Sequence, residues 1–344
     1  MKVCKFGGSS LANATQINKV KNIILSDSER KYIVVSAPGK SNEYDDKVTD
    51  LLLRYAEGEN TKDKIIQRFG VIAYELGIGK AFTSEVKNIF SHTDDTDYFI
   101  SRGEYLCAML LSEYIGFDFV DAKDIISFFG SALDEEKTKA NTLYMASKHK
   151  NAVIGGFYGS DNGKIKLFER GGSDISGAIL AQKLCVDVYE NWTDVDGVMS
   201  ASPRVVKNPH VIPVITYREL RELCCMGATV LHEDALIPMR RAKIPVNIRN
   251  TDNPQSHGTM IVNSRVKPSG YGIIGVSGNK NGNICVVSES IGSALPKILS
   301  ALGDRYISIE KPDSDTVLYI KVYENDVNDV INSIYSAFFR RARD

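Results

Sequence analysis

The chain reads as an α/β sandwich on a mainly parallel sheet, followed by a small α+β module. Three features of its 344 residues predict this. Short apolar runs alternate with longer stretches of helical periodicity. The style of the sequence changes around Asn263–Ser269, where Pro, Gly and polar residues separate two strand-like segments. Hydrophobic residues make up 43% and charged residues 25%, the balance of a chain with ample core and no compositional case for disorder or a disulfide scaffold.

Taken in order, MKVCKF opens a first strand that ends in Lys5-Phe6-Gly7-Gly8-Ser9-Ser10, before a helix starting near Ala14. KYIVVSA (31–37) is a buried strand, and a helix over 47–57 follows with Leu51, Leu52 and Tyr55 on one face. Leu106, Leu110 and Ile115 mark a helix over 103–115. NAVIGGFYG (151–159) runs as a strand into a glycine turn, and a helix over 176–184 follows the RGGSD loop. VDVYENWTD (186–194) and PVNIRNT (245–251) are the last strands of the series. Strands separated by helices imply parallel pairing. Beyond the break, IIGVSGNKNGNICVVS, a helix over 294–302, YISIEK, TVLYIKVY and a helix over 327–339 spell βαββα. The expected domains are therefore 1–262 and 271–344, with no fixed-period repeat.

Composition narrows the function classes. Lys plus Arg number 42 against 43 Asp plus Glu, which leaves no net field for a nucleic acid or a membrane surface. The basic end FFRRARD reads as a solvated helix terminus. Six cysteines show no C-x-x-C spacing and the five histidines no H-x-x-x-H, so structural zinc is not expected. Vicinal Cys224 and Cys225 are expected as small apolar residues buried on a helix. Glycine interrupts the N-terminus before an apolar signal region develops, and no run reaches the roughly 18 apolar residues of a membrane span. The expected compartment is the reducing cytosol.

Chemistry can sit in three places. Gly7 and Gly8 let backbone N–H groups approach an anion, and Lys5 at the strand end could neutralise a phosphoryl group; a plain Gly-Gly turn explains the glycines equally well. Two common nucleotide motifs are excluded by spacing. Gly39-Lys40-Ser41 ends like a P-loop, but Val34 stands where its first glycine belongs, and GGFYG at 155–159 is not G-x-G-x-x-G. In Glu169-Arg170-Gly171-Gly172-Ser173-Asp174, arginine offers a fork for a carboxylate and the helix start offers amides to a second anion; an ordinary N-cap by Ser173 or Asp174 is the alternative. Trp192-Thr193-Asp194-Val195-Asp196-Gly197 places carboxylates at a strand end, for ribose or magnesium or for a simple turn, and Arg204 lies within reach of a nucleotide phosphate.

KFGGSS, VVSAPGK with KVTDLL, SRGEYLCA, FERGGSDISGAILA, ENWTDVDGV, GATVLH and NIRNTDNPQSHGT occur in the order and spacing of the aspartokinases, which residues 1–262 resemble. The resemblance implies an amino-acid kinase fold, a three-layer α/β/α sandwich. It implies ATP-dependent phosphorylation of the β-carboxylate of L-aspartate with Mg²⁺, the first step toward lysine, threonine and methionine. Lys5 would stabilise the transferred phosphoryl group amid Gly7, Gly8 and Ser9, and Asp174 would orient Lys5 or meet the metal. Arg170 would hold the α-carboxylate and Glu104 the α-ammonium, while Ser36, Thr49 and Ser173 serve the β-carboxylate. Thr193, Asp194 and Arg204 would serve the nucleotide. No protein side chain is assigned to the metal.

Two departures fall on the nucleotide side: Ser202 where the family usually has Asp before Pro-Arg, and Thr229 where it often has Lys. The C-terminal segment resembles an ACT module, and aspartokinases commonly carry two. With one, a homodimer through the module and weakened feedback control by lysine or threonine are expected. The other readings are an amino-acid-kinase-fold enzyme for glutamate or its N-acetyl derivative, which Glu104 as ammonium partner disfavours, and a weak sensor, which retained Lys5, Arg170 and Asp194 disfavour.

Overall fold

A computed structural model describes residues 1–91, 95–169, 171–225, 233–265, 270–312 and 314–339. The elements run β1 (Lys2–Phe6), α1 (Ala14–Leu25), β2 (Arg30–Val35), α2 (Val48–Ala56), α3 (Lys62–Leu76), α4 (Lys80–Asn88), α5 (Thr96–Ile115), β3 (Asp118–Val120), β4 (Phe128–Phe129), β5 (Ala132–Leu133), α6 (Glu135–Lys148), β6 (Ala152–Gly155), β7 (Tyr158–Asp161), β8 (Lys164–Leu167), α7 (Gly172–Lys183) and β9 (Val188–Thr193). There follow β10 (Val214–Thr216), α8 (Tyr217–Cys225), α9 (Glu233–Ala242), β11 (Val246–Asn250), β12 (Thr259–Val262), β13 (Ile273–Gly278), β14 (Asn283–Ser288), α10 (Ile291–Leu302), β15 (Ser308–Glu310), β16 (Val317–Lys321) and α11 (Val327–Phe339).

Two compact units interleave along the chain, whereas the sequence divides it linearly at 262 and 271. The first joins Met1–Asp194 with His232–Gln255, the second Val195–Leu231 with Ser256–Asp344. In the first, strands β11, β9, β1, β2, β6 and β3 lie side by side in that order, all parallel. Burial on both faces explains why they read as continuous apolar runs. Alternation sends Cys4, Phe6, Val35 and Trp192 into the core shared with α1 to α5. The opposite face receives α7, where Gly177 permits contact: a Cβ there would stand 2.6 Å from the Tyr189 hydroxyl. The register pairs Lys5 with Val34 and Asn191, so β1, β2 and β9 end together.

In the second unit β13, β14, β16 and β15 form an antiparallel sheet against α10 and α11, and β10 pairs with β12 in parallel. Residues from the 195–231 segment belong to this core. Ala201 and Val206 are buried with Ile273, Val286 and Ile334, and the Val276 amide donates to the Ser200 carbonyl at 2.8 Å.

Local expectations are corrected in several places. IIGVSGNKNGNICVVS is a hairpin of two strands, turned by Gly282 at φ +79°, where a Cβ would stand 2.3 Å from the Val322 carbonyl. The helix expected over 103–115 begins at Thr96, capped by Asp95, whose side chain accepts from the amides of Asp97 and Tyr98. α7 begins at Gly172 rather than 176. Cys224 is half-buried and Cys225 exposed, against the expected burial of both, and none of the six cysteines is in a disulfide among the described residues. Among the described residues, no helix is long and apolar enough to cross a membrane.

Candidate active site

The site lies at the carboxyl edge of the first unit's sheet, where parallel strands hand over to loops. Lys5 leaves β1 on the α7 face and is 8% exposed. Its Nζ meets Asp174 Oδ1 at 2.7 Å, and the Asn191 amide on the neighbouring strand donates to the same oxygen at 3.0 Å. Gly171 and Gly172, at φ +70° and +43°, turn the chain into α7 so that Ser173 and Asp174 occupy its first turn.

Two glycine loops cross above Lys5. The Gly39 amide donates to the Gly8 carbonyl at 2.8 Å, and a Cβ on Gly39 would stand 2.7 Å from the Gly8 carbonyl carbon. Glycine is required on both sides, since a Cβ on Gly8 would approach the Ala37 carbonyl to 2.9 Å. The Gly7 amide is held by the Trp192 carbonyl at 3.0 Å, and Ser9 beside it is exposed.

A second pocket wall begins at Ser36, whose hydroxyl meets that of Ser173 at 2.5 Å. Gly156 makes room for this approach: a Cβ there would stand 2.4 Å from Ser173 Cβ. Phe157, held at φ +76°, donates its amide to Ser176 Oγ at 2.9 Å behind the same turn. Glu104 faces these groups from α5. It is 4% exposed, and its Oε2 has no partner among the described residues. Burial pushes its carboxyl up to about 8, against the pull of the Ala37 amide, its own amide, and the charges of Arg102 and Lys5. Gly103 lets α5 close on this loop, a Cβ there falling 2.7 Å from Ala37 Cβ.

The structure thus brings together Lys5, Gly7, Gly8, Ser36, Glu104, Ser173 and Asp174. Thr49 sits half-buried in the first turn of α2. Thr193 ends β9, its hydroxyl donating to Asp194 Oδ1 at 3.1 Å. Arg204 belongs to the second unit and is exposed, its amide donating to Ser202 Oγ at 3.3 Å. Arg170 and Thr229 lie outside the described residues. Sequence reasoning missed Asn191, Gly39 as a crossing glycine, and Gly156. The string APGK carries a signal for Gly39, but the sequence reading takes it as a failed P-loop tail and as part of the family string VVSAPGK, not as a crossing of two loops.

Such an arrangement can hold two anions near one cation, with a separate buried carboxylate ready for an ammonium group. The amino acid kinase family model matches residues 1–250. Aspartokinase 3 of Bacillus subtilis is 38% identical over 80% of this chain and 66% of its own. A bifunctional aspartokinase/homoserine dehydrogenase of Buchnera aphidicola is 28% identical over 96% of this chain and 46% of its own. The chain therefore spans about half to two thirds of the curated relatives it matches. The crystal structure of Clostridium acetobutylicum aspartate kinase aligns with a TM-score of 0.91 at 32% identity, over 98% of this chain and 100% of that one. Escherichia coli aspartokinase III, solved with aspartate and ADP, shares the fold at a TM-score of 0.79 and 21% identity, covering 99% of this chain and 100% of that one.

Proposed function

Because the chain belongs to the amino acid kinase family and, within it, to the aspartokinases, we propose that it phosphorylates the β-carboxylate of L-aspartate with ATP. The observation that carries this reading is Glu104, a buried carboxyl whose Oε2 has no partner among the described residues and which faces the Ala37 amide and the charge of Lys5. An α-ammonium is the partner such a group lacks, and an acylated amine would leave it uncompensated.

The β-carboxylate is ionised at pH 7, so no strong base is needed; the obstacle is pressing one anion onto another. Lys5, held on Asp174, supplies the positive charge at the transferred phosphoryl group, with Gly7, Gly8 and Ser9 beside it. Ser36 and Ser173 donate to the attacking carboxylate, and Arg170 pairs with the α-carboxylate. Thr193 and Asp194 serve the nucleotide. If a magnesium ion is bound, Asp174 would be the residue to meet it, and the ion would supply charge neutralisation. Catalysis then rests on positioning and charge.

A homodimer through the antiparallel module, weakened lysine or threonine feedback and a cytosolic location complete the reading. Six cysteines with no disulfide among the described residues suit a reducing compartment. A monomeric sedimentation profile would refute the dimer, and tight saturable lysine binding the weakened feedback.

The deciding experiment is hydroxylamine trapping of acyl phosphate with ATP and L-aspartate, L-glutamate or no acceptor, beside Lys5→Ala. Aspartyl hydroxamate from the parent protein, reduced by roughly a thousandfold in the variant, is expected from loss of the cation that meets the transferred group. Glutamyl hydroxamate alone, or none from any acceptor, would refute the assignment.

A further inference from the structure

We infer that Arg68 is a positioning residue for phosphoryl transfer, clamping the two glycine loops of the site to each other; the inference rests on the kinase reading above. Arg68 stands on α3, which contributes Ile65, Phe69 and Ile72 to the core. One guanidinium nitrogen donates to the Ala12 carbonyl at 2.8 Å and to the Gly39 carbonyl at 2.7 Å. Ala12 ends the short 3₁₀ turn Gly8–Leu11 that follows the first loop, and Gly39 is the crossing residue of the second. The two hydrogens of a single nitrogen thus tie one loop to the other, immediately behind the Gly39–Gly8 hydrogen bond.

The other terminal nitrogen is anchored on Asp45 and on Ser41 Oγ, the latter at 3.1 Å. Asp45 in turn accepts from the Ser41 amide at 2.9 Å and the Ser41 hydroxyl at 2.8 Å. Burial pushes the Asp45 carboxyl up, but these Ser41 hydrogen bonds and the Arg68 charge outweigh it, so Asp45 stays ionised to lower pH than usual. The loop from Ser36 to Lys47 is therefore tied to α3 at three points.

Two observations separate this role from ordinary packing. The crossing itself contains glycine on both strands, so no side chain of its own fixes it, and the backbone there is intrinsically free. Arg68 Nε is also buried without a partner among the described residues, a cost that a residue kept for stability alone would not need to bear. Planar forked donors suit the task because they fix two acceptors at a set separation, which a lysine ammonium cannot do as rigidly. The same loop carries Ser36 and the Ala37 amide that faces Glu104, so a shift there misaligns the amino-acid side and the phosphate side together.

The test compares the parent protein with Arg68→Met, Arg68→Lys and Asp45→Asn. Amide exchange at Gly39 reads the clamp directly and needs no turnover; kcat and both KM values read its consequence. In Arg68→Met, exchange is expected to quicken about tenfold and kcat to fall about ten- to a hundredfold, while the circular dichroism spectrum is unchanged. Arg68→Lys should restore part of kcat, and Asp45→Asn, which keeps the guanidinium and removes its anchor, should show a smaller loss of the same kind. Unchanged Gly39 exchange in Arg68→Met overturns the clamp, and so does faster exchange with the parental kcat. Should Arg68→Met fail to fold, Asp45→Asn decides by the same two readouts. A parent protein that turns over no acceptor refutes the kinase reading, and Gly39 exchange together with Mg-ADP affinity then decides the clamp: faster exchange with weaker nucleotide binding upholds it, and parental values of either overturn it.

Discussion

Glu190 and Glu104 lie in the same unit, 1% and 4% exposed, and their carboxyls move in opposite directions. Glu190, on β9, accepts from Arg30 Nε at 2.8 Å, Lys2 Nζ at 3.1 Å and the Trp192 indole at 2.9 Å. Burial raises its carboxyl, but the Arg30 hydrogen bond and the charges of Arg30 and Lys2 more than offset that, and the group titrates below its ordinary range. Two guanidinium groups also lie against Trp192, Arg30 at 5.2 Å and Arg249 at 4.5 Å from its ring. At Glu104 burial wins, and Oε2 has no partner among the described residues. The lesson is that burial alone does not mark a functional carboxylate. A candidate site is marked by a buried titratable group left with an unpartnered polar atom among the described residues.

Glu190→Gln tests the completed environment. It leaves Arg30 buried beside a neutral amide, and stability should fall by about 3–5 kcal/mol. That corresponds to roughly 10 °C in melting temperature, read by differential scanning calorimetry. The KM for aspartate in the folded fraction should stay as it was. A loss of stability no larger than that of a surface substitution would break the contrast.

Glu104→Gln tests the open one, and its effect should appear in binding. We expect kcat/KM for aspartate to fall about a hundredfold, the cost of losing a charge-assisted partner for an ammonium, with the melting temperature unchanged or raised. A variant that unfolds as Glu190→Gln does would place Glu104 among the structural carboxylates.

The smallest effect is the pH dependence, and its sign differs between the two groups. Glu104 keeps its proton up to about 8, whereas in the unfolded chain it loses it near 4.5. The folded state therefore binds more protons in that window, and the contribution of Glu104 to stability is lost as pH rises toward 8. Glu190 is lowered, so its contribution is present above 4.5 and is lost as pH falls through its folded value. Melting curves should show Glu104→Gln gaining on the parent protein between pH 4.5 and 8, and the deficit of Glu190→Gln shrinking only in acid. Parallel curves for the two variants would show that the two environments do not differ as described.

What the sequence determined by itself were properties local along the chain. Short apolar runs located the strands over 31–37 and 186–194 and helical spacing the helix over 327–339, and short strings such as KFGGSS and FERGGSD carried the kinase resemblance. Its errors were also local, as in reading β13 and β14 as one segment across the polar stretch 278–283, whose Asn281-Gly282 pair is a hairpin signal that the reading passed over. Tertiary structure decided what depends on distant residues meeting. The Ser36–Ser173 contact, the Ala37 amide at the Glu104 carboxyl and the reach of Arg68 to Ala12 and Gly39 join positions 137, 67, 56 and 29 residues apart. The interleaving of 195–231 with the C-terminal unit is of the same kind. Hydrophobic spacing records which face of an element is buried. Which element buries it, and whether a buried charge there finds a partner, is set by packing between segments whose separation along the chain carries no signal.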